Sequence, residues 1–97
     1  MNSTICSAIR SKRVIRFFCD GGFRTVEPFC HGESKDGNAL LRAYQTAGYS
    51  ESGQTVGWKL FRLDNMSSLA VTDETFSGRR PEYNPEDPAM VTIYCRI

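Results

Sequence analysis

The residues best suited to chemistry are arginines set among aromatic and aliphatic neighbours. The clearest case is Trp58-Lys59-Leu60-Phe61-Arg62-Leu63. On a strand, Trp58, Leu60 and Arg62 share one face, while Lys59, Phe61 and Leu63 share the other. Arg42 shares a face with Leu40 and Tyr44 in the same way. An unpaired guanidinium among apolar side chains is costly, so it needs a partner. For Arg62 that partner is either an internal acid, Asp64 or Glu27, or an external phosphate or carboxylate that fits its planar fork. Arg24 follows a Gly-Gly pair and reads either as a solvated hairpin end or as a second member of a basic cluster. Tyr44 and Trp58 can stack on a base or fill a core. The candidate ligand-binding set is therefore Arg24, Arg42, Tyr44 and Arg62.

Other chemistry finds little support. His31 is the only histidine, and its neighbour Cys30 points to the opposite side of a strand. Joint metal ligation or a Cys/His nucleophilic pair is therefore awkward. There is no CxxC pair, GxSxG elbow, P-loop or GxGxxG. Asp20, Glu27, Asp64 and Asp73 form no recognisable carboxylate pair. The expectation is a non-enzymatic protein with no catalytic residue, metal or cofactor.

The elements that must position these residues are short. Asn2 and Ser3 are good caps, and Ile5, Ala8 and Ile9 fall at helical spacing, so residues 3–11 read as an amphipathic helix. Alone it is too short to be stable, and its Ile5/Ile9 face must dock. Residues 13–19 alternate as a strand with Ile15, Phe17 and Cys19 on one side. Asp20-Gly21-Gly22 signals a tight turn, and residues 23–29 return antiparallel, with Pro28 ending the strand or lying at its edge. Residues 31–38 read as a loop, 39–46 as the third strand, 48–57 as a long hairpin loop and 57–63 as the fourth strand. A turn at Asp64-Asn65 leads to a short fifth strand over 66–71. Residues 73–88 form an acidic, Pro-rich excursion, and 90–96 a last strand. One helix followed by five to six short antiparallel strands predicts a mainly β, single-domain fold, a small barrel.

Composition bounds the partners. The 97 residues suit one domain with a modest core. Net charge is +1, which names no partner. Residues 1–48 carry seven Lys/Arg against four Asp/Glu, and residues 49–97 five against seven. The early cluster Arg10, Lys12, Arg13, Arg16 and Arg24 reads as a solvated helix end and strand edge or as a patch for phosphate or nucleic acid. No apolar run approaches the ~20 residues of a membrane span. Residues 1–13 do not read as a signal peptide. Four reduced thiols in a cytoplasmic protein is the simplest account of Cys6, Cys19, Cys30 and Cys95.

Five pieces in order carry a resemblance over about residues 5–70. They are Ala8-Ile9-Arg10 before Ile15-Arg16-Phe17, then Arg24-Thr25-Val26-Glu27-Pro28, Leu41-Arg42-Ala43-Tyr44 and Phe61-Arg62-Leu63-Asp64. Together they resemble the WYL domain, a prokaryotic ligand-sensing module with an Sm-like (SH3-like) β-barrel, usually attached to a DNA-binding regulator. The resemblance implies a non-enzymatic regulatory role. It also implies an anionic ligand, such as a nucleotide or single-stranded nucleic acid, held by Arg24 and Arg62 with Arg42 and Tyr44 beside them. A DNA-binding or other regulatory protein is the implied partner, and an oligomer is compatible with it. Of the Trp-Tyr-Leu triplet that names the family, the aligned Ala39-Leu40-Leu41 keeps only the leucine. The leading helix is too short for a helix-turn-helix. The rival expectation is a protein-interaction or adaptor module, with structural arginines and partner contact through segment 73–88 or an edge strand.

Overall fold

A computed structural model describes residues 1–97. Helix α1 spans Ser3–Ser11. Its first turn is capped by Asn2, whose side chain accepts the Ile5 N–H at 2.9 Å. Lys12 ends it in the left-handed region at φ 54°. The buried side of α1 is Ile5, Cys6, Ala8 and Ile9, so the helix docks on the face its spacing demanded.

Six strands follow: β1 Arg13–Cys19, β2 Gly22–Glu33, β3 Ala39–Gly48, β4 Gly57–Arg62, β5 Met66–Thr75 and β6 Thr92–Arg96. All pair antiparallel in one sheet with the path β4-β3-β2-β1-β5, and β6 joins β2. The β1–β2 turn places Asp20 at φ 46° and Gly21 at φ 102°. Two successive positive φ values are the type I′ geometry that matches strand twist.

Strand β2 runs past the expected break at Pro28. It pairs with β1 through Val26 and with β6 from Cys30 onward, and its ladder to β3 shifts register between Pro28 and Cys30. Pro28 thus sits where β2 exchanges one neighbour for another, which tolerates its missing N–H. Residues 31–33, expected in a loop, are strand because β6 returns to pair with them. Strand β5 is longer than expected, reaching Thr75, and carries two register shifts against β1.

The sheet path has two edges, β4 and β5. Five strands laid flat at about 4.8 Å spacing would separate those edges by about 19 Å. Yet one three-residue 3-10 turn, Leu63–Asn65, joins them, with a rise of only about 2 Å per residue. The sheet must therefore curl. Its inner face and α1 enclose Ile5, Ile9, Ile15, Phe17, Val26, Leu41, Ala43 and Phe61.

The outer face is half covered. Residues 76–91 return across it, and Phe29 is fully buried against Trp58, Phe76 and Tyr83, with ring centroids 4.9, 5.4 and 5.0 Å away. The excursion expected at 73–88 is therefore a strap packed on the sheet. The expectation of four reduced thiols is corrected: Cys6 of α1 and Cys95 of β6 form a disulfide, leaving only Cys19 and Cys30 free and buried. The two cysteines are 89 positions apart, and only the docking of α1 beside β6 brings them together.

Candidate functional site

The four sequence candidates fall in three places. Arg42 and Tyr44 lie on the outer face, opposite Leu60 and Trp58 of β4. Both are covered by the strap. Arg42 donates from Nε and Nη2 to the two carboxylate oxygens of Asp87, at 2.7 and 3.1 Å. Arg80 lies over the Tyr44 ring, 4.1 Å from its centroid, and grips Glu27 with two bonds of 2.8 and 2.9 Å. These are fork-to-fork pairs, and they tie the strap down. Glu27 is thus the partner of Arg80 and not of Arg62. The Trp58 indole N–H donates to the Pro81 carbonyl at 2.9 Å, and its ring stacks on Tyr83. A pocket of about 330 Å3 lined by Arg42, Trp58, Tyr83 and Asp87 remains beside the strap, but its one arginine is already neutralised by Asp87.

Arg62 is exposed at the end of β4. It donates to Asn38 Oδ1 at 3.1 Å and lies 3.8 Å from Asp64. The Asp64 contact is one of the two internal partners the sequence offered.

Arg24 stands apart. It is only 6% exposed, yet no carboxylate lies within 4.0 Å of its guanidinium. Instead, Nε and Nη2 both donate to the Cys19 carbonyl, at 3.2 and 2.9 Å. Phe61 and Tyr49 each present a ring 5.5 Å from the guanidinium carbon, a favourable cation–π setting. The fork is held by groups that orient it without cancelling its charge.

Local sequence explains this placement. The I′ turn at Asp20-Gly21 aims the Cys19 carbonyl back at Arg24, five residues on. Gly22 has no side chain because a Cβ there would overlap Tyr49. Gly48, at φ 105°, turns the chain so that the Tyr49 N–H reaches the Phe23 carbonyl at 2.8 Å. Buried Gln45 donates from Nε2 to the Tyr49 carbonyl at 2.9 Å, which fixes the start of the 49–56 loop. Its Oε1 has no hydrogen-bond partner.

Arg24 opens on a pocket of about 240 Å3 whose wall also includes Asp20, Ser50, Glu51, Ser52 and Lys59. Lys59 Nζ donates to Ser50 Oγ at 3.2 Å and to the Gln54 carbonyl at 2.6 Å. Like Arg24, it has no carboxylate within 4.0 Å. The sequence missed Lys59. It lies on the strand face opposite Trp58 and Arg62, the residues that drew attention, and so shares the inward side with Phe61 at the rim of the core. Cys19 beside this pocket is no nucleophile, since burial and its hydrogen bond to Asp20 push its thiol up to about 11.

Elsewhere, His31 is fully buried with both ring nitrogens engaged. Nδ1 donates to the Leu40 carbonyl at 2.8 Å, and Nε2 accepts the Asn2 N–H at 3.0 Å. No protein-family model, curated protein or solved structure matches this chain.

Proposed function

We propose that the chain is a non-enzymatic ligand-binding module whose anion site is centred on Arg24 and completed by Lys59. The observation that carries this reading is a buried guanidinium with no carboxylate within 4.0 Å, facing an open pocket. A buried charge is normally paired. Here the fork is pre-oriented by a carbonyl and two rings, and preorganisation lowers the cost of binding. A carboxylate or phosphate oxygen entering the pocket gains a charge-assisted hydrogen bond. The step is binding alone, with no covalent chemistry. In this reading Arg42, Tyr44 and Arg62 are structural.

The strand path, the short 3-10 link between β4 and β5 and the leading helix support the SH3-like barrel reading; the WYL-type regulatory role rests on the sequence resemblance. No helix is long and apolar enough to cross a membrane. The Cys6–Cys95 bridge removes the free-thiol part of the cytoplasmic expectation.

Titration of 15N-labelled protein with inorganic phosphate and with acetate tests the site. The Arg24 Nε–H signal should move and saturate, and Lys59→Met should weaken the response at least threefold. A signal indifferent to both anions at low salt overturns the reading.

One observation favours the interaction-module alternative. Phe18 and Phe23 are 39% and 50% exposed on the uncovered half of the outer face. Their rings meet edge to face at 5.4 Å, with Arg16 over Phe23. Such a patch suits contact with a protein partner. Phe18→Ser with Phe23→Ser should then abolish any measured self-association or partner binding and leave anion titration unchanged.

A further inference from the structure

We infer that the ligand of the Arg24 pocket is a small zwitterion, with an anionic group for Arg24 and Lys59 and an ammonium group for Asp20 and Glu51. This rests on the anion-site reading and names the class of ligand.

The pocket wall carries two cations and two carboxylates. Oppositely charged side chains sharing so small a space would ordinarily pair. Here neither Arg24 nor Lys59 comes within 4.0 Å of either acid. Three of the four charges are held back by a local tie. Arg24 is bound to the Cys19 carbonyl, and Lys59 to Ser50 and Gln54. Asp20 is fixed in the left-handed turn and accepts the Cys19 thiol at 3.5 Å. Glu51 is exposed in the loop after Ser50 and lies in none of the ion pairs. The pocket therefore presents separated charges of both signs, and a ligand carrying both can satisfy them together.

The remaining wall fits that class. The Ser50 and Ser52 hydroxyls lie 3.0 Å apart and offer donors and acceptors along the ligand's middle. Phe61 and Leu60 give a short apolar side. A volume of about 240 Å3 is below the ~300–1,000 Å3 of drug-sized sites. It suits a free α-amino acid or a similar amino carboxylate, which is smaller than a nucleotide with its base and phosphates.

The test is calorimetric and NMR titration of the intact, oxidised chain with a panel of free L-α-amino acids. Acetate, propionate, inorganic phosphate and methylamine serve as single-charge controls. At least one amino acid should bind tenfold or more tightly than acetate. Glu51→Gln and Asp20→Asn should each remove most of that advantage, read as the ratio of amino-acid to acetate affinity within the same variant. Glu51 is exposed, so its variant keeps the fold even if Asp20→Asn disturbs the turn. If acetate and phosphate bind as well as every amino acid, and Glu51→Gln has no effect, the zwitterion inference fails and the anion site stands. If nothing on the panel moves the Arg24 Nε–H signal, both fall.

Discussion

Phe17 of β1 and Phe61 of β4 meet edge to face with centroids 5.0 Å apart, although two strands separate them in the sheet. Flat strands three places apart would stand about 14 Å from each other. The contact therefore measures the curl of the sheet. Phe61 has a second task, because its ring also carries the Arg24 guanidinium. One side chain thus links the closing of the core to the orientation of the pocket.

Removing that ring should be felt in both places. Phe61→Ala should cost about 3–5 kcal/mol, the usual range for a buried phenylalanine. Urea unfolding followed by circular dichroism measures it. Phe61→Leu keeps most of the volume and should cost less than about 2 kcal/mol. In Phe61→Leu the Arg24 Nε–H signal should shift and anion affinity should fall, while far-UV spectra stay unchanged. Native anion affinity in Phe61→Leu would show that Phe61 does not orient the fork.

The strap gives a pH-dependent prediction. Burial by itself would raise the Asp87 pKa, but the hydrogen bonds from Arg42 and from the Ala89 N–H, with the Arg42 charge, hold it below its usual value. A carboxylate whose folded pKa lies below the unfolded one stabilises the fold above the unfolded pKa. That contribution is lost as pH falls through about 4 toward the folded value. Asp87→Asn should cost about 1–3 kcal/mol at pH 7, since it strips a partly buried guanidinium of its partner. The variant should be flatter than wild type in urea midpoint against pH between about 5 and 2. Parallel profiles would mean that the pair does not hold the strap.

His31 acts in the same direction over a higher pH range. Burial lowers its pKa and outweighs the Leu40 carbonyl bond, which raises it. The unfolded chain therefore takes up a proton before the native state does. Stability is full above the unfolded pKa of about 6.5 and falls as pH drops below it, levelling off once the folded pKa is passed. Protonation also removes the acceptor for the Asn2 N–H, so α1 should loosen first. Hydrogen exchange corrected for the intrinsic pH dependence of amide exchange should show lower protection at Ile5 and Cys6 at pH 5.5 than at pH 7.5. His31→Gln should flatten the stability profile between pH 7 and 5.

The local rules were legible because they depend on neighbours in sequence. Asn2 and the Ile5/Ile9 spacing marked α1, and Asp20-Gly21 marked a turn whose dihedral angles follow from those residue types. The alternation of Ile15, Phe17 and Cys19 marked the inner face of β1. Contacts set by distant chain were not legible. Pro28 looked like a strand end because nothing local reveals that β6 replaces β1 beside it. Arg42 and Arg62 looked alike on paired strands, yet only Arg42 lies under the strap, where Asp87 arrives from 45 residues away. Arg24 was visible as a residue, but its missing counter-charge follows from the folding of the 49–56 loop. Four cysteines permit three full pairings, and spacing alone favours none of them.

The disulfide yields the last prediction. Cys6 and Cys95 close almost the whole chain into one loop, and the chain-entropy model assigns such a loop about 4–5 kcal/mol. For a domain this small that is a large share of total stability. Reduction, or Cys6→Ser with Cys95→Ser, should therefore lower the urea midpoint sharply and free α1 before the sheet opens. Thiol counting checks the pairing independently. Burial leads the causes that push both remaining thiols up to about 11, so Ellman's reagent should react with neither Cys19 nor Cys30 in the native protein. In denaturant without reductant it should find two thiols, and after reduction four. Four thiols without reductant would show that the bridge is not formed. The helix would then depend on Ile5 and Ile9 packing and the Asn2–His31 bond alone, and the variant with both serines would match wild type in stability.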